Sequence, residues 1–501
     1  MAGGRYRLRD AVSKRGRVVT CTRPLVVTRL NEAGSRLVDA LSFEVYRSVA
    51  AAAEAADVDA ENARSLLEAL RRRGLLAWRP GRDPTHRPPA SVVVTVRNEA
   101  DAIGACLDAL AALSYPDYEV VVVDDCSTDG TRERVHSHPL AESGVARLVT
   151  VDGDDPRGIG ACRNLSVDAA AHDVVAFTDA DCRPRADWLA DLVPCLSAHD
   201  LVGGRIRPHG DGGASAYEGV NASLDMGPRA APVDRESATP YLATANLVGR
   251  REVFEAVRFP ERNVAEDVDV CWRAVGDGYD VVYTPEGVVE HDYGDATDFV
   301  GRRVAYGASE ALLAGEYGHP GSVSVPLTVP AVALVGVLGG TVVDAGGVDG
   351  LAIAATVALV VAVAATLGRA GRTLWATATA ESRLDARSVL IGTVRGGLSR
   401  LYAVATEVAR YYSLPVAAVA LALAAAGFET LAAAVAGLVV AVVWLPPLVE
   451  YAVHRPATSP VAYVAWATLD AVAYQVGAHR GAVGYRTATH LDPRRRFTVT
   501  A

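Results

Sequence analysis

The feature of this sequence that most constrains its fold is a regular alternation of strand and helix patterns between residues 91 and 181. Short, continuous apolar runs rich in valine are separated by segments long enough to form helices. Buried runs of this kind are typical of a parallel sheet covered by helices on both faces. We therefore predict an α/β domain whose first strands lie at 91–96, 119–125, 146–151 and 173–181.

Acidic residues gather where two of these predicted strands end. Asp124 and Asp125 close the second strand, and Asp179 and Asp181 close the fourth. Parallel α/β sheets bind their ligands at the carboxyl ends of the strands. Residues i and i+2 of an extended segment point to the same side, so Asp179 and Asp181 suit a single cation. Carboxylate oxygens together with substrate phosphates are typical ligands of Mg²⁺ and Mn²⁺, and the sequence predicts such a site here.

The same segments have other interpretations. Residues 124–131, DDCSTDGT, resemble the start of a calcium-binding loop, but that loop has Glu at its twelfth position and this sequence has His136. A turn that only caps the next helix remains an alternative. Residues 158–164, GIGACRN, lack the third glycine of a dinucleotide fingerprint. Arg163 is either a nucleotide contact or a surface arginine.

Further candidate residues lie downstream. Glu266 and Asp267 stand at a predicted loop-to-helix transition, where a carboxylate commonly compensates the helix dipole. In a pocket, the same carboxylate is suited to act as a general base. His291 follows a strand-like segment and is either a metal or phosphate ligand or a satisfied loop histidine.

The last third of the chain has a different composition. Residues 320–501 carry 13 arginines and 9 acidic residues, whereas the first 319 residues carry 36 basic and 50 acidic ones. An acidic body argues against nucleic acid as the main partner. The apolar end contains uncharged runs long enough to cross ~30 Å of hydrocarbon. Buried core helices are the alternative, and we predict transmembrane helices at about 322–343, 350–368, 411–428 and 430–449.

The arginines predict how these helices are oriented. The connector 369–410 carries seven arginines and should face the cytoplasm, whereas the acidic loop 344–349 should face outward. The segment 456–478 is interrupted by Asp470, so we place it on or partway into the membrane. We expect a multi-pass protein of the cell membrane with a cytoplasmic catalytic domain and both termini cytoplasmic.

The first 80 residues form a separate predicted unit. Helix patterns at 31–41, 42–56 and 60–73 are mixed with short strands, as in a winged helix. A segment rich in proline follows. The predicted organisation is a winged-helix domain at 1–80, a linker at 81–90, a catalytic domain at 91–318 and a membrane region at 319–501.

Six motifs, taken in order, resemble the family 2 glycosyltransferases with the GT-A fold. They are SVVVTVRNEA, VVVVDDCSTDGT, GIGACRN, FTDADCRP, TANLVGRR and AEDVDVCWR, within about 91–310. The resemblance implies a UDP- or GDP-linked sugar donor, a divalent metal, and inversion by a single displacement. One departure is the run Thr95-Val96-Arg97, where many members have a proline and an aromatic residue. The QxxRW motif is also absent, which favours a short addition over a long polymer.

The resemblance also implies roles for individual residues. Asp267 would be the general base of the reaction, with Glu266 beside it. Asp125 would contact the nucleobase of the donor. Asp181, Asp179 and His291 would hold the metal. The nucleotide-sugar site would include Val96, Glu99, Asp124, Asp125, Arg163, Asp179 and Asn246.

The N-terminal unit resembles PqqD-like peptide-recognition domains. Joined to a family 2 transferase and a membrane region, it resembles the mycofactocin-system glycosyltransferases. That resemblance implies transfer of a sugar, expected to be glucose, to a hydroxyl of mycofactocin or its peptide-derived precursor. One alternative is a membrane glycosyltransferase of glycolipid or surface-glycan synthesis. A second is a DNA-binding membrane regulator with a degenerate transferase domain.

Overall fold

The computed structural model describes residues 3–151, 155–210, 213–318, 323–326, 366–375 and 386–500. The predicted membrane segments 322–343 and 350–368 therefore lie outside the described residues, apart from 323–326 and 366–368. The chain divides into two compact units, Met1–Arg5 with Trp78–Phe299, and Tyr6–Ala77 with Val300–Ala501. The domain boundaries inferred from the sequence stay predictions.

Residues 5–79 form short strands and three helices. The helices are α1 (Glu32–Asp39), α2 (Val49–Ala56) and α3 (Ala60–Arg72). The predicted helix 42–56 was wrong in its start, because the Ser48 hydroxyl caps α2 by accepting a hydrogen bond from the Ala51 amide. The winged-helix assignment stays a prediction. The strands are β1 (Arg5–Leu8), β2 (Val12–Arg15), β3 (Val18–Thr22), β4 (Leu25–Arg29), β5 (Arg47–Ser48) and β6 (Leu76–Arg79).

The Trp78–Phe299 unit is built on an eight-stranded mixed sheet, as the alternating pattern predicted. Val92, Val94 and Val120 on its central strands are fully buried. The spatial order is β14-β16-β12-β15-β10-β7-β8-β9. These strands are β7 (Ala90–Val96), β8 (Tyr118–Asp124), β9 (Ala146–Thr150), β10 (Val174–Asp179), β12 (Leu201–Gly203), β14 (Ala231–Pro232), β15 (Leu247–Arg250) and β16 (Val281–Tyr283).

The order of the strands determines where a ligand can bind. From β7 the chain proceeds to β8 and β9 on one side, and then returns to form β10 on the other side. Strands β7, β8, β9 and β10 are parallel to their neighbours within this group. The crevice outside the carboxyl ends of β7 and β10 is therefore a topological switch point, the usual ligand position in open α/β sheets.

This part of the chain also contains a second, small sheet and several helices. The small sheet has the order β11-β17-β13, with strands Cys182–Pro184, Val289–His291 and Ile206–Pro208 respectively. The helices are α4 (Ile103–Ala111), α5 (Thr131–His136), α6 (Pro139–Glu142), α7 (Ile159–Ala169), α8 (Trp188–Leu192), α9 (Gly213–Asn221), α10 (Arg251–Val257), α11 (Glu266–Gly276) and α12 (Ala296–Tyr317).

The described C-terminal residues are mainly three long helices, Ala386–Ala425, Glu429–His454 and Pro460–Gly484. Within the described part of the chain, the first two are long and apolar enough to cross a membrane by length and composition, which is weak support for a membrane region. The first helix has 40 residues, or about 60 Å, twice the ~30 Å of a bilayer core. This single helix therefore includes the second half of the predicted connector 369–410 and most of the predicted span 411–428.

The helix Pro460–Gly484 packs closely against α12. A Cβ atom at Gly477 would collide with the Val304 carbonyl, and one at Gly307 with the Tyr474 carbonyl. Asp470, which interrupts the apolar run, is buried, with its Oδ1 3.0 Å from Arg303 Nε. This ion pair gives the charged residue a partner inside the packed helices.

Candidate active site

The carboxyl ends of three neighbouring strands bring the predicted residues together. Val96, the last residue of β7, pairs with Asp124 on β8, and Thr95 pairs with Asp179 on β10. Because these strands run in register, the loops that follow them leave the sheet at the same edge. Glu99 is in the loop after β7, Asp125 directly follows β8, and Asp181 lies two residues beyond the end of β10.

Asp124 and Asp125 organise the loops beyond β8. Asp124 is fully buried, and its Oδ2 accepts hydrogen bonds from Arg132 Nε at 2.7 Å and from the Ser127 amide at 3.2 Å. Asp125 accepts from the backbone amides of Arg157 at 2.8 Å and Gly158 at 3.0 Å, immediately before α7. The structure thus gives both carboxylates a positioning role, and their contact with a nucleotide stays a prediction.

Arg163 links three elements at the site. It lies on α7 and is only 2% exposed. Its Nη2 donates to Asp179 Oδ1 at 3.1 Å, and its Nη1 forms an ion pair with Glu266 Oε1. The surface-arginine alternative is therefore wrong. Arg163 brings the end of β10 and the start of α11 to the same point.

Asp267 follows Glu266 in the first turn of α11. The helix is preceded by Ala265 in the left-handed conformation, with φ 56°, and Asp267 Oδ1 accepts from the Val268 amide at 2.8 Å. Burial raises the pKa of Asp267 to about 7, the nearby Glu266 and Asp179 carboxylates also raise it, and Arg163 opposes the increase. Since the side chain is still partly exposed, it is suited to accept a proton near neutral pH.

Glu99 faces the same group of acids. Its amide donates to Thr131 Oγ1 at 2.9 Å, which fixes the loop after β7. Burial, followed by the charges of Asp181 and Asp179, raises the pKa of Glu99 to about 7. The carboxyl of Glu99 therefore lies within the electrostatic reach of the predicted cation motif.

A set of potential metal ligands lies beside this acidic edge. Ligand atoms of Asp181, Cys182 and His291 are all within 4.8 Å of one another. His291 Nε2 is 3.5 Å from Asp181 Oδ2, and Cys182 is directly opposite His291 between β11 and β17. The buried His291 Nδ1 has no hydrogen-bond partner among the described residues. A carboxylate with an imidazole fits a divalent cation. The sequence interpretation missed Cys182, although it is adjacent to Asp181.

Asn246 is fully engaged in the structure of the domain. Its Oδ1 accepts from Trp188 Nε1 at 2.8 Å. Its Nδ2 donates to the carbonyls of Arg205 and Gly287 at 3.0 and 2.8 Å. Because both amide hydrogens are used, the structure gives Asn246 a structural role, and its role in donor binding stays a prediction.

Comparison with known proteins identifies the class to which this fold and site belong. Residues 91–258 match the model of glycosyl transferase family 2. Glycosyltransferase AglE of Haloferax volcanii is 32% identical over 210 residues, which cover 41% of this chain and 67% of that relative. The chain belongs to the family 2 glycosyltransferases.

Two further comparisons extend beyond the matched family region. The pre-mycofactocin glycosyltransferase of Mycobacterium tuberculosis is 34% identical over 285 residues, or 56% of this chain. The match spans only 57% of that relative's length. A mannosyltransferase of Pyrobaculum calidifontis, solved with GDP-mannose and Mn²⁺, is 25% identical with a TM-score of 0.40, covering 64% of this chain and 89% of its own.

Proposed function

We propose that this chain is an inverting glycosyltransferase that transfers a sugar from a nucleotide-diphospho-sugar to a hydroxyl of mycofactocin or its peptide-derived precursor. The observation that carries the catalytic part is the link through Arg163. That side chain joins Asp179, beside the potential metal ligands, to Glu266, which immediately precedes Asp267.

The metal side of the site would stabilise the leaving group. Cleavage of the bond between the anomeric carbon and oxygen develops negative charge on the departing diphosphate, and a bound Mg²⁺ or Mn²⁺ would neutralise that charge. Asp181 and His291 would hold the cation, and Asp179 would complete the site on the side of β10. Asp124, Asp125 and Glu99 would shape the nucleotide pocket next to it.

The other side of the site would activate the acceptor. In a single displacement, the acceptor hydroxyl attacks the anomeric carbon from the face opposite the leaving diphosphate. Asp267 would take the hydroxyl proton as the new glycosidic bond forms. Its raised pKa, about 7, suits a base that must be deprotonated in the ground state and still hold a proton after the transfer.

The peptide-derived acceptor is supported by two observations. The first is the likeness to the pre-mycofactocin glycosyltransferase. The second is a groove of about 800 Å³ between β4, α1 and α3, whose lining includes Arg29, Asn31, Leu66 and Arg73. A groove with both apolar and charged walls suits a peptide segment. The N-terminal unit, which we propose to be PqqD-like, would therefore recognise the acceptor.

A glycolipid or surface-glycan acceptor is the second candidate, since the two long apolar helices suit either acceptor. We expect the protein at the cytoplasmic face of the cell membrane in both cases. The DNA-binding regulator requires a degenerate transferase domain, and Asp179, Asp181 and Asp267 are all present.

A donor screen tests the proposal. The purified full chain is incubated with UDP- and GDP-sugars, Mn²⁺ or Mg²⁺, and the peptide-derived acceptor, and the acceptor is analysed by mass spectrometry. A mass increase of one or a few hexoses supports the proposal. Transfer to a lipid acceptor alone would favour glycolipid synthesis, and no transfer or donor hydrolysis with any donor would refute the enzymatic role.

A variant in the N-terminal groove tests acceptor recognition separately. Leu66→Glu should raise the acceptor KM while leaving donor hydrolysis unchanged. Arg64→Glu, on an exposed position of the same helix, is the matched control. An acceptor KM that is the same in both variants would reject a role of this groove.

A further inference from the structure

Arg163 is a buried cation at the centre of the acidic edge. Its side chain is 3% exposed, and the facing side chains of Asp179 and Glu266 are 28% and 9% exposed. A buried charge is costly unless it is paired and hydrogen-bonded. The guanidinium group is planar and presents its donors in a fixed fork, so the positions of its two partners depend on each other.

The two partners belong to opposite sides of the proposed reaction. Asp179 ends β10, one residue before the Ala180-Asp181 pair. Glu266 begins α11, one residue before Asp267. In the sequence, Glu266 lies 103 positions after Arg163, and Asp179 lies 16 positions after Arg163. One side chain therefore fixes how far the start of α11 lies from the end of β10.

We propose that Arg163 is a positioning residue that holds the general base Asp267 in line with the donor held beside Asp179. This inference rests on the proposed glycosyltransferase function. It replaces the role implied by the family resemblance, in which Arg163 touches the nucleotide. Each terminal nitrogen of the guanidinium donates one hydrogen bond to a protein carboxylate, and the guanidinium carbon is 5.9 Å from the Phe259 ring centroid.

The electrostatics of Asp267 supply a distinguishing signature. Its neighbours on the surrounding elements are Glu266 and Cys271 on α11, Arg163 on α7 and Asp179 on β10. Glu266 raises the pKa of Asp267 and Arg163 lowers it. Removing either charge should therefore shift the titration of the base, and the two shifts should have opposite signs.

Kinetics of the full chain test the proposal. In Arg163→Lys the positive charge remains, but the planar guanidinium that reaches both carboxylates is lost. We therefore expect kcat to fall about 100-fold, as for a misplacement of roughly 1 Å. The donor KM should change less than about twofold. In Arg163→Met the acid limb of kcat/KM should move to higher pH. In Glu266→Gln it should move to lower pH.

Arg258→Met is the matched control. Arg258 also pairs with a carboxylate on α7, Asp168, at 2.6 Å, but at the surface. This control should leave kcat and the pH profile unchanged. Thermal unfolding of each variant shows whether it is folded, and if Arg163→Met does not fold, Arg163→Lys and Glu266→Gln decide the question.

The outcomes are distinguishable. A raised donor KM with an unchanged kcat would overturn the proposal in favour of a nucleotide contact. A reduced kcat in Arg163→Met and Glu266→Gln with acid limbs that do not move would overturn it in favour of a general structural role. If the wild-type chain transfers no sugar at all, the proposed function fails, whereas an active wild type with unaffected Arg163 variants refutes only this inference.

Discussion

Two buried ionic clusters, one in each unit of the molecule, use similar residues in different ways. The helix cluster, in the second unit, joins Arg496 to Glu310 at 2.5 Å and to Glu407 at 3.1 Å. Glu310 also accepts hydrogen bonds from the hydroxyls of Tyr411 and Tyr474. Burial alone would raise the pKa of Glu310, but Arg496 and the two tyrosines outweigh burial and lower it.

The strand-end cluster, in the Trp78–Phe299 unit, has the opposite balance. It consists of Glu99, Asp179, Asp181, Glu266 and Asp267, with Arg163 paired to Asp179 and Glu266. Burial, followed by the charges of neighbouring carboxylates, raises the pKa values of Glu99 and Asp267 to about 7. Carboxylates whose pKa values are strongly raised by burial and by neighbouring charges in a crevice are typical of functional sites. From this comparison we expect the helix cluster to affect stability and the strand-end cluster to affect turnover.

The largest expected effect is the loss of the base. Asp267→Asn should reduce kcat by about 10²–10⁴-fold, the usual contribution of general-base catalysis. Donor binding should remain nearly unchanged, because Asp267 acts on the acceptor. Steady-state kinetics and donor titration measure the two effects. Asp277→Asn, an exposed change at the end of α11, is the control, and weakened donor binding with residual turnover would contradict the role of Asp267.

A substitution in the helix cluster should lower the stability of the protein and leave the pH profile of turnover unchanged. Glu310→Gln removes one of the two carboxylates that pair with Arg496, and Glu407 remains as its partner. The free energy of unfolding should therefore fall by about 1–3 kcal/mol, the usual cost of a weakened hydrogen-bonded charge. Denaturant unfolding of the full chain in detergent measures it. Glu429→Gln, at an exposed helix start, should cost less than about 1 kcal/mol. A shifted pH profile in Glu310→Gln would break the distinction between the clusters.

Removing a proposed metal ligand should act on donor binding. Asp181→Ala should weaken the metal-dependent binding of the donor by at least about 10-fold, since even outer residues of metal sites have effects of that size. Calorimetry with a nucleotide-sugar at several Mn²⁺ concentrations measures it. Unchanged metal dependence would show that Asp181 is not a ligand.

The smallest predicted effect concerns pH. Asp267 must be deprotonated to accept the hydroxyl proton, and its pKa is raised to about 7. The value of kcat/KM should therefore rise with pH up to about 7 and level off above it. A pH–rate profile of the wild-type chain checks this, and a profile that is flat from pH 5 to 8 would mean that Asp267 is not the titrating base.

The sequence predicted the strands of the α/β unit well because their signal is local. The runs 91–96 and 119–125 correspond to β7 (Ala90–Val96) and β8 (Tyr118–Asp124) within one residue. Each contains an uninterrupted run of buried valines, 92–94 and 120–123 respectively, so the pattern needs no knowledge of distant contacts. The same local signal placed the acidic residues at the strand ends.

The contacts between distant segments could not be predicted in this way. The link from Arg163 to Glu266 spans 103 residues, and nothing in GIGACRN indicates which carboxylate the arginine will meet. Asn246 is similar, because its partners Trp188 and Gly287 are known only after folding. The long helix Ala386–Ala425 continues past residue 410, where the predicted connector ends and the predicted membrane span begins. Arginines alone do not end a helix, so the sequence pattern did not indicate this continuity.

The most direct test of the central claim is to locate the bound metal. Crystals or particles of the full chain with Mn²⁺ and a nucleotide-sugar would show the cation, and anomalous scattering at the manganese edge would identify it. We predict a peak between the Asp181 carboxylate and His291 Nε2, with Asp267 facing the sugar from the side opposite the diphosphate. A cation held elsewhere, or a sugar out of reach of Asp267, would contradict the account.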